Sequence, residues 1–268
     1  MSVAETNPLL DFSGLPRFPE IEADHVGPPV DRLLAESRVL VAAVSGDQVP
    51  ATWNAFVLPL ENSSERLSRA WGQVEHLHAV LDSPELRSAY NESLPKITQF
   101  WTELGQNQRL FDKYKALRDS AEFAGLVPAR KKLVENALRD FRLGGAELSA
   151  ELKPRYAAIQ DELASLSAKF SENVLDATNA YSIFIEDDKR LAGLPADAVQ
   201  AAREAAQKGD KAGWKFTLQM PSYLPIMQYA DDRELRETLY RANATRASEF
   251  GRPEWHKTQL ISLIRTLS

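Results

Sequence analysis

Eight apolar residues constrain this chain more than any other feature. Leu152, Tyr156, Ile159, Leu163, Leu166, Phe170, Val174 and Ala177 follow one another at separations of 4, 3, 4, 3, 4, 4 and 3 residues. Only a helix of 3.6 residues per turn places such a series on one face. The stripe predicts an amphipathic helix of about seven turns, whose first use is packing against other helices.

The period then changes. Tyr181, Ile183 and Ile185 alternate with Ser182, Phe184 and Glu186, and Trp214, Phe216, Leu218 and Met220 alternate with Lys215, Thr217 and Gln219. Strict alternation is the mark of a strand, so two short strands are expected, with an alanine-rich helix from Pro195 to Lys208 between them. Their relative direction is not fixed by the pattern. Pro221 and Pro225 separate the second strand from a further helix carrying Leu235, Leu239 and Ala242, with Asp231 as its expected cap.

Upstream, the sequence is helical. Five prolines within the first 30 residues (Pro8, Pro16, Pro19, Pro28 and Pro29) predict an extended arm over 1–30. A helix is expected from Pro29 to Val44, ended by Gly46 and Pro50, and one or two more from Thr52 to Asp82, interrupted near Pro59. Ser83, Pro84 and Glu85 form a cap, first position and acidic first turn. Pro95 is expected to restart the chain into a separate helix carrying Ile97, Phe100, Trp101, Leu104, Phe111 and Tyr114. Pro128 should open a helix over 129–142 that Gly144-Gly145 closes. A last amphipathic segment begins near Lys257. The expected fold is thus mainly α, with a small β element near 181–220.

The residues exclude several chemistries. There is no cysteine, so neither a disulfide framework nor a thiolate nucleophile is available. The longest apolar run, Val39 to Val44, is far short of the ~20 residues of a membrane-spanning helix. Met1 to Pro8 has neither the basic start nor the apolar centre of a secretory signal. Lys and Arg number 32 against 38 Asp and Glu, a net charge of −6 without the basic patch of a nucleic-acid binder. The compact basic run Arg130-Lys131-Lys132 is expected to be a solvated helix face. These features lead us to expect a cytoplasmic protein with neither nucleic acid nor membrane as partner.

Metal chemistry finds no purchase. The four histidines are His25, His76, His78 and His256. None is followed by glutamate, and none has another histidine four positions on, so H-E-x-x-H is missing. His76 and His78, two apart on a helix, would point in nearly opposite directions. There is no G-x-S-x-G turn and no phosphate-cradling loop. Asp187-Asp188 and Asp231-Asp232 sit at element boundaries, where caps and turns are their expected roles. No catalytic, cofactor-binding or metal-binding residue is therefore assigned.

Certain stretches carry a resemblance. Asn7-Pro8-Leu9-Leu10, Leu15-Pro16-Arg17-Phe18, Asp24-His25-Val26, Ser83-Pro84-Glu85-Leu86-Arg87 and Phe170-Ser171-Glu172-Asn173-Val174-Leu175-Asp176-Ala177-Thr178 lie in order along the chain. Met220-Pro221-Ser222-Tyr223-Leu224-Pro225-Ile226-Met227, Leu235-Arg236-Glu237 and Thr245-Arg246-Ala247-Ser248 continue the series; Asn243 departs from it, an aromatic residue being expected there. Together they resemble the N-terminal part of the thimet-oligopeptidase family of zinc metallopeptidases.

The resemblance implies two helical lobes flanking a narrow channel that admits short peptides. It places the zinc, its glutamate base and the transition-state donors in a C-terminal half, whose motifs are not in this sequence. Residues 31–268 are accordingly expected to form a helical N-terminal domain, a channel wall that is inactive alone and truncated before the catalytic domain. Leu260, Ile261, Leu263, Ile264 and Leu267 make five of the last nine residues apolar, which predicts a helix cut in mid-course and self-association through it. A stand-alone helical binding or scaffold protein is the alternative from a different class.

Overall fold

The computed structural model describes residues 7–81 and 83–248, and the terminal segment from Lys257 lies outside the described residues. The fold is mainly α: among the described residues there are ten α-helices and one two-stranded sheet. The chain divides into two compact units between Ser165 and Leu166.

In the first unit, three short 3-10 turns (Pro8–Leu10, Phe18–Glu20 and Ala23–His25) lead into α1 (Gly27–Ser45). Asn7 caps the first turn and its side-chain amide donates to the His25 carbonyl at 3.1 Å, tying both ends of this segment together. A π turn at Trp53–Val57 runs directly into α2 (Leu58–Val80), with Pro59 in the first turn where its missing N–H costs nothing.

Next comes α3 (Pro84–Gly105), capped by Ser83 as expected. Pro95 does not restart the chain; it lies inside this continuous helix. The reason is burial. Leu86, Tyr90, Ser93, Ile97 and Phe100 form one buried stripe passing straight through the proline, and Pro95 itself faces solvent. That packing outweighs the ~3 kcal/mol local cost of an interior proline.

The expected run from Ile97 to Tyr114 is instead broken at Gln106-Asn107. Asn107 caps α4 (Gln108–Arg118), accepting from the Leu110 N–H at 3.1 Å. Then follow α5 (Ala121–Gly125), α6 (Pro128–Leu143) and the start of α7 (Lys153–Ala180), the long helix that the eight-residue stripe predicts. Gly105 and Gly144 meet backbone to backbone: a Cβ on Gly144 would lie 3.1 Å from the Gly105 Cα. This close approach lets the ends of α3 and α6 touch.

The core of this unit is aromatic. Phe56 and Tyr114 meet edge to face at 4.8 Å, and Phe141 lies 5.5 Å from Tyr114 and 6.0 Å from Phe111. Trp53, Leu60, Leu110 and Leu138 close around them.

In the second unit, β1 (Ser182–Ile185) and β2 (Trp214–Thr217) pair antiparallel, Ser182 facing Thr217 and Ile185 facing Trp214. Between them in sequence lies α8 (Ala196–Gln207). The two prolines after β2 do not keep the chain out of a helix: α9 (Met220–Tyr229) holds Pro221 in its first turn and Pro225 inside. The cap of α10 (Arg233–Ala244) is Asp232 and not Asp231. Asp231 instead donates its backbone N–H to the Ala192 carbonyl at 2.8 Å. Ile185, Phe216, Leu218, Ile226, Leu235 and Leu239 form the core.

Candidate functional site

One concave feature among the described residues of the first unit is an open groove of about 400 Å³ between α1 and α3. Its apolar wall comes from Val41 and Ala42 of α1 and Phe100 and Leu104 of α3. The i, i+4 spacing of Phe100 and Leu104 puts both on the same side of their helix. Its polar rim holds Arg38, Glu103 and, where the chain turns from α3 into α4, Asn107 and Arg109.

Arg38 and Glu103 form an ion pair at 3.2 Å, and the Arg38 guanidinium lies 5.7 Å from the Phe100 ring centre. Gln99 donates to the other Glu103 oxygen at 2.7 Å. Both members of the pair are substantially exposed, so it orders the rim and adds little stability. The Asn107 carboxamide oxygen is engaged in capping α4, which leaves its NH₂ as a further donor. Arg109 stands exposed in the first turn of α4. Two arginines and one carboxylate thus line the groove, in a chain whose net charge is −6.

Other charged groups are committed to structure. The Lys113 ammonium donates to the carbonyls of Val44, Gly46 and Val49, each at 2.6 Å, and so closes the C-terminal end of α1. Burial lowers its pKa, with Asp47 acting in the opposite sense. Burial likewise raises the Glu61 carboxyl, which accepts from the Tyr114 hydroxyl at 3.4 Å. Burial first, then the Glu61 charge and hydrogen bond, raise the Tyr114 phenol. In the basic run, Arg130 lies 4.6 Å over the Trp53 ring, Lys131 donates to the Ala124 carbonyl and Lys132 reaches Glu135.

The three described histidines do not converge. His25 accepts from the Glu22 N–H in a capping box, His76 packs 5.0 Å from the Phe18 ring and His78 stacks on Tyr90 at 4.0 Å. His256 lies outside the described residues. Among the described residues no three His, Asp or Glu side chains come together as a metal set. The residues therefore do not fit the zinc ion that the family resemblance implies, and no step of metal-assisted hydrolysis is assigned to them. Asp187 and Asp232 cap Asp188–Leu191 and α10, the roles expected of these acidic pairs. Sequence reasoning gave no groove residue a binding role: Arg38 and Glu103 stand 65 positions apart, and the one available signal was Asn107 as a cap, which would have set Arg109 at a helix start.

Comparison with known proteins gives this helical assembly its place. The model of the Neurolysin/Thimet oligopeptidase N-terminal domain matches residues 30–171. The chain belongs to this family. Oligopeptidase A of Haemophilus influenzae is 45% identical over 264 residues, covering 98% of this chain and 39% of the relative. Oligopeptidase A of Escherichia coli is 40% identical over 264 residues, again 98% and 39%. The probable cytosolic oligopeptidase A of Arabidopsis thaliana is 40% identical over 250 residues, 91% of this chain and 36% of the relative. The chain thus spans less than two fifths of the length of these curated relatives. Among the described residues no helix is long and apolar enough to cross a membrane.

Proposed function

We propose that residues 31–268 serve as the helical, non-catalytic N-terminal domain of a cytoplasmic oligopeptidase that hydrolyses short peptides. In this reading residues 1–30 are its N-terminal arm, the last four of them already in α1. The observation that carries this reading is the match to oligopeptidase A, which runs along 98% of this chain yet covers only 39% of the relative. The donor set within the chain agrees with it, because hydrolysis by a zinc-bound water needs three convergent ligands and a base. In this reading those groups, and the zinc itself, belong to a catalytic half of the kind the family resemblance implies. The helices described above provide scaffold and a wall of the peptide channel.

The test pairs two chains. The 268-residue chain alone is expected to retain no stoichiometric zinc after dialysis and to leave a quenched-fluorescence peptide uncut. The same residues joined to the remaining length of the Haemophilus influenzae relative are expected to cut it in a chelator-sensitive manner. One tightly held zinc in the shorter chain, or chelator-sensitive turnover by it, would overturn the assignment.

A further inference from the structure

We propose that the groove between α1 and α3 binds the free C-terminal carboxylate of a short peptide ending in a large apolar residue. The inference starts from charge. Arg38 already spends its guanidinium on Glu103 at 3.2 Å, and Gln99 holds the second oxygen of that carboxylate. Arg109 is the excess cation of the rim. A planar guanidinium offers two parallel N–H donors that match a carboxylate, so one excess arginine suits a monoanion.

Its position adds to the match. Arg109 occupies the first turn of α4, where backbone N–H groups carry partial positive charge. One of those donors, on Leu110, is already taken by Asn107, so the cap and the arginine together define the polar end of the groove. The Asn107 NH₂ offers a further donor for a peptide carbonyl.

Below this rim the wall changes character. Val41, Ala42 and Leu104 present apolar surface over the buried Phe100 ring, and the space of about 400 Å³ lies in the range of small-ligand sites. A small hydrophilic anion would leave that surface wet, whereas an apolar side chain carried beside a carboxylate covers it. The terminal residue of a peptide combines both in one unit. The choice of a peptide over other amphiphilic acids rests on the proposed function.

The decisive experiment titrates acetyl-Ala-Phe, its C-terminal amide and N-acetyl-phenylalanine into the 268-residue chain, with backbone amide shifts recorded by NMR. The acid is expected to give saturable shifts at Arg38, Phe100, Asn107 and Arg109, and to bind about tenfold more tightly than the amide, as loss of a charge-assisted pair implies. Arg109→Gln should erase that acid-over-amide difference. Ala42→Trp, at an exposed position, should fill the groove and abolish both shifts. Equal binding of acid and amide, shifts located elsewhere, or binding that survives Ala42→Trp would overturn the proposal. N-acetyl-phenylalanine binding as tightly as the dipeptide would overturn the peptide assignment, making the ligand a simple apolar carboxylate. Any of these failures would leave the paired turnover test untouched.

Discussion

The two units of this chain close their cores by different means. In the first, rings carry the contact: Phe56 of the π turn, Phe111 and Tyr114 of α4 and Phe141 of α6 interlock ring against ring. In the second, among the described residues after α7, no α-helix exceeds 12 residues and the strands have four each. The core of these residues holds a single fully buried ring, Phe216, among aliphatic side chains, and close backbone approaches stand beside it. Gly193, at φ +85°, lies so near the end of α9 that a Cβ would meet the Tyr229 carbonyl at 2.2 Å. Beside it Asp231 donates to the Ala192 carbonyl, and Arg190 donates to Asp232 at 2.6 Å. The first unit should therefore be sensitive to side-chain truncation, and the second to backbone and cap changes.

The largest expected effect tests the aromatic side of that contrast. Phe111→Ala should cost about 3–5 kcal/mol, the usual loss for a buried aromatic ring. Hydrogen exchange followed by mass spectrometry should show the loosening in peptides from α4 and α6. Equal loosening of the β1–β2 pair would break the comparison.

Gly193→Ala tests the other side. An alanine held at positive φ costs about 1–3 kcal/mol before any clash with the Tyr229 carbonyl is counted. Exchange should rise in peptides spanning Leu191–Leu194 and α9, with α4 and α6 unchanged. A variant as stable as the parent would show that the loop moves aside freely, and the backbone argument would fail.

Asp232→Ala comes next. It removes the N-cap of α10 and the partner of Arg190, and should cost about 1–2 kcal/mol near neutral pH. The Arg190 hydrogen bond, followed by the Leu235 N–H, holds the Asp232 carboxyl below its ordinary value. A depressed carboxylate contributes stability above its unfolded pKa and loses it as the pH falls through the folded one. The difference between parent and variant in urea midpoints should therefore shrink on acidification below pH ~4. A difference that stays constant to low pH would remove the ionic part of this account.

What the sequence made legible follows the same contrast. Long helices were readable: α7 runs from Lys153 to Ala180, though Leu152 stands outside it and Ala177 alone of the eight stripe residues is buried, and α6 lies between Pro128 and Leu143. The change of period at Tyr181 located both strands, because alternation is local to each. Their antiparallel pairing was not readable, since 28 residues separate the end of one from the start of the other. Two errors came from misjudging one residue against a stripe, in opposite directions. Pro95 was given a break that the Leu86–Phe100 stripe overrides, and the break at Asn107 was missed because the apolar spacing happens to continue across it. Asp231 and Asp232 carry the same side chain, and only the backbone bond to Ala192 decides which of them caps. The groove residues gave no warning because Arg38 and Glu103 meet only through the packing of α1 on α3. The lack of a zinc motif was readable because H-E-x-x-H is a local pattern.

The smallest expected effect sharpens the comparison from within the aromatic core. Glu61, in the first turn of α2, is a half-buried carboxyl against the fully buried Tyr114 ring. Burial raises its pKa above the ordinary 4.5, and the Tyr114 hydrogen bond opposes the shift without cancelling it. A carboxyl that is more basic folded than unfolded binds more protons in the native state between the two values. Stability must then fall as the pH rises from the unfolded value through the folded one, and stay level once both states are ionised. At neutral pH the Glu61 charge is thus a net cost to the core, kept below about 1 kcal/mol by the solvent that still reaches it. Glu61→Gln retains a hydrogen-bond acceptor for Tyr114 but cannot ionise. The variant should match or slightly exceed the parent at pH 7, and the margin should vanish towards pH 4.5. Urea midpoints of both proteins at three pH values give the measurement, because every other titrating group cancels in the difference. A variant less stable than the parent at neutral pH would mean that the ionised carboxylate holds Tyr114 in place, and the ring cluster would then depend on a polar anchor as the second unit does.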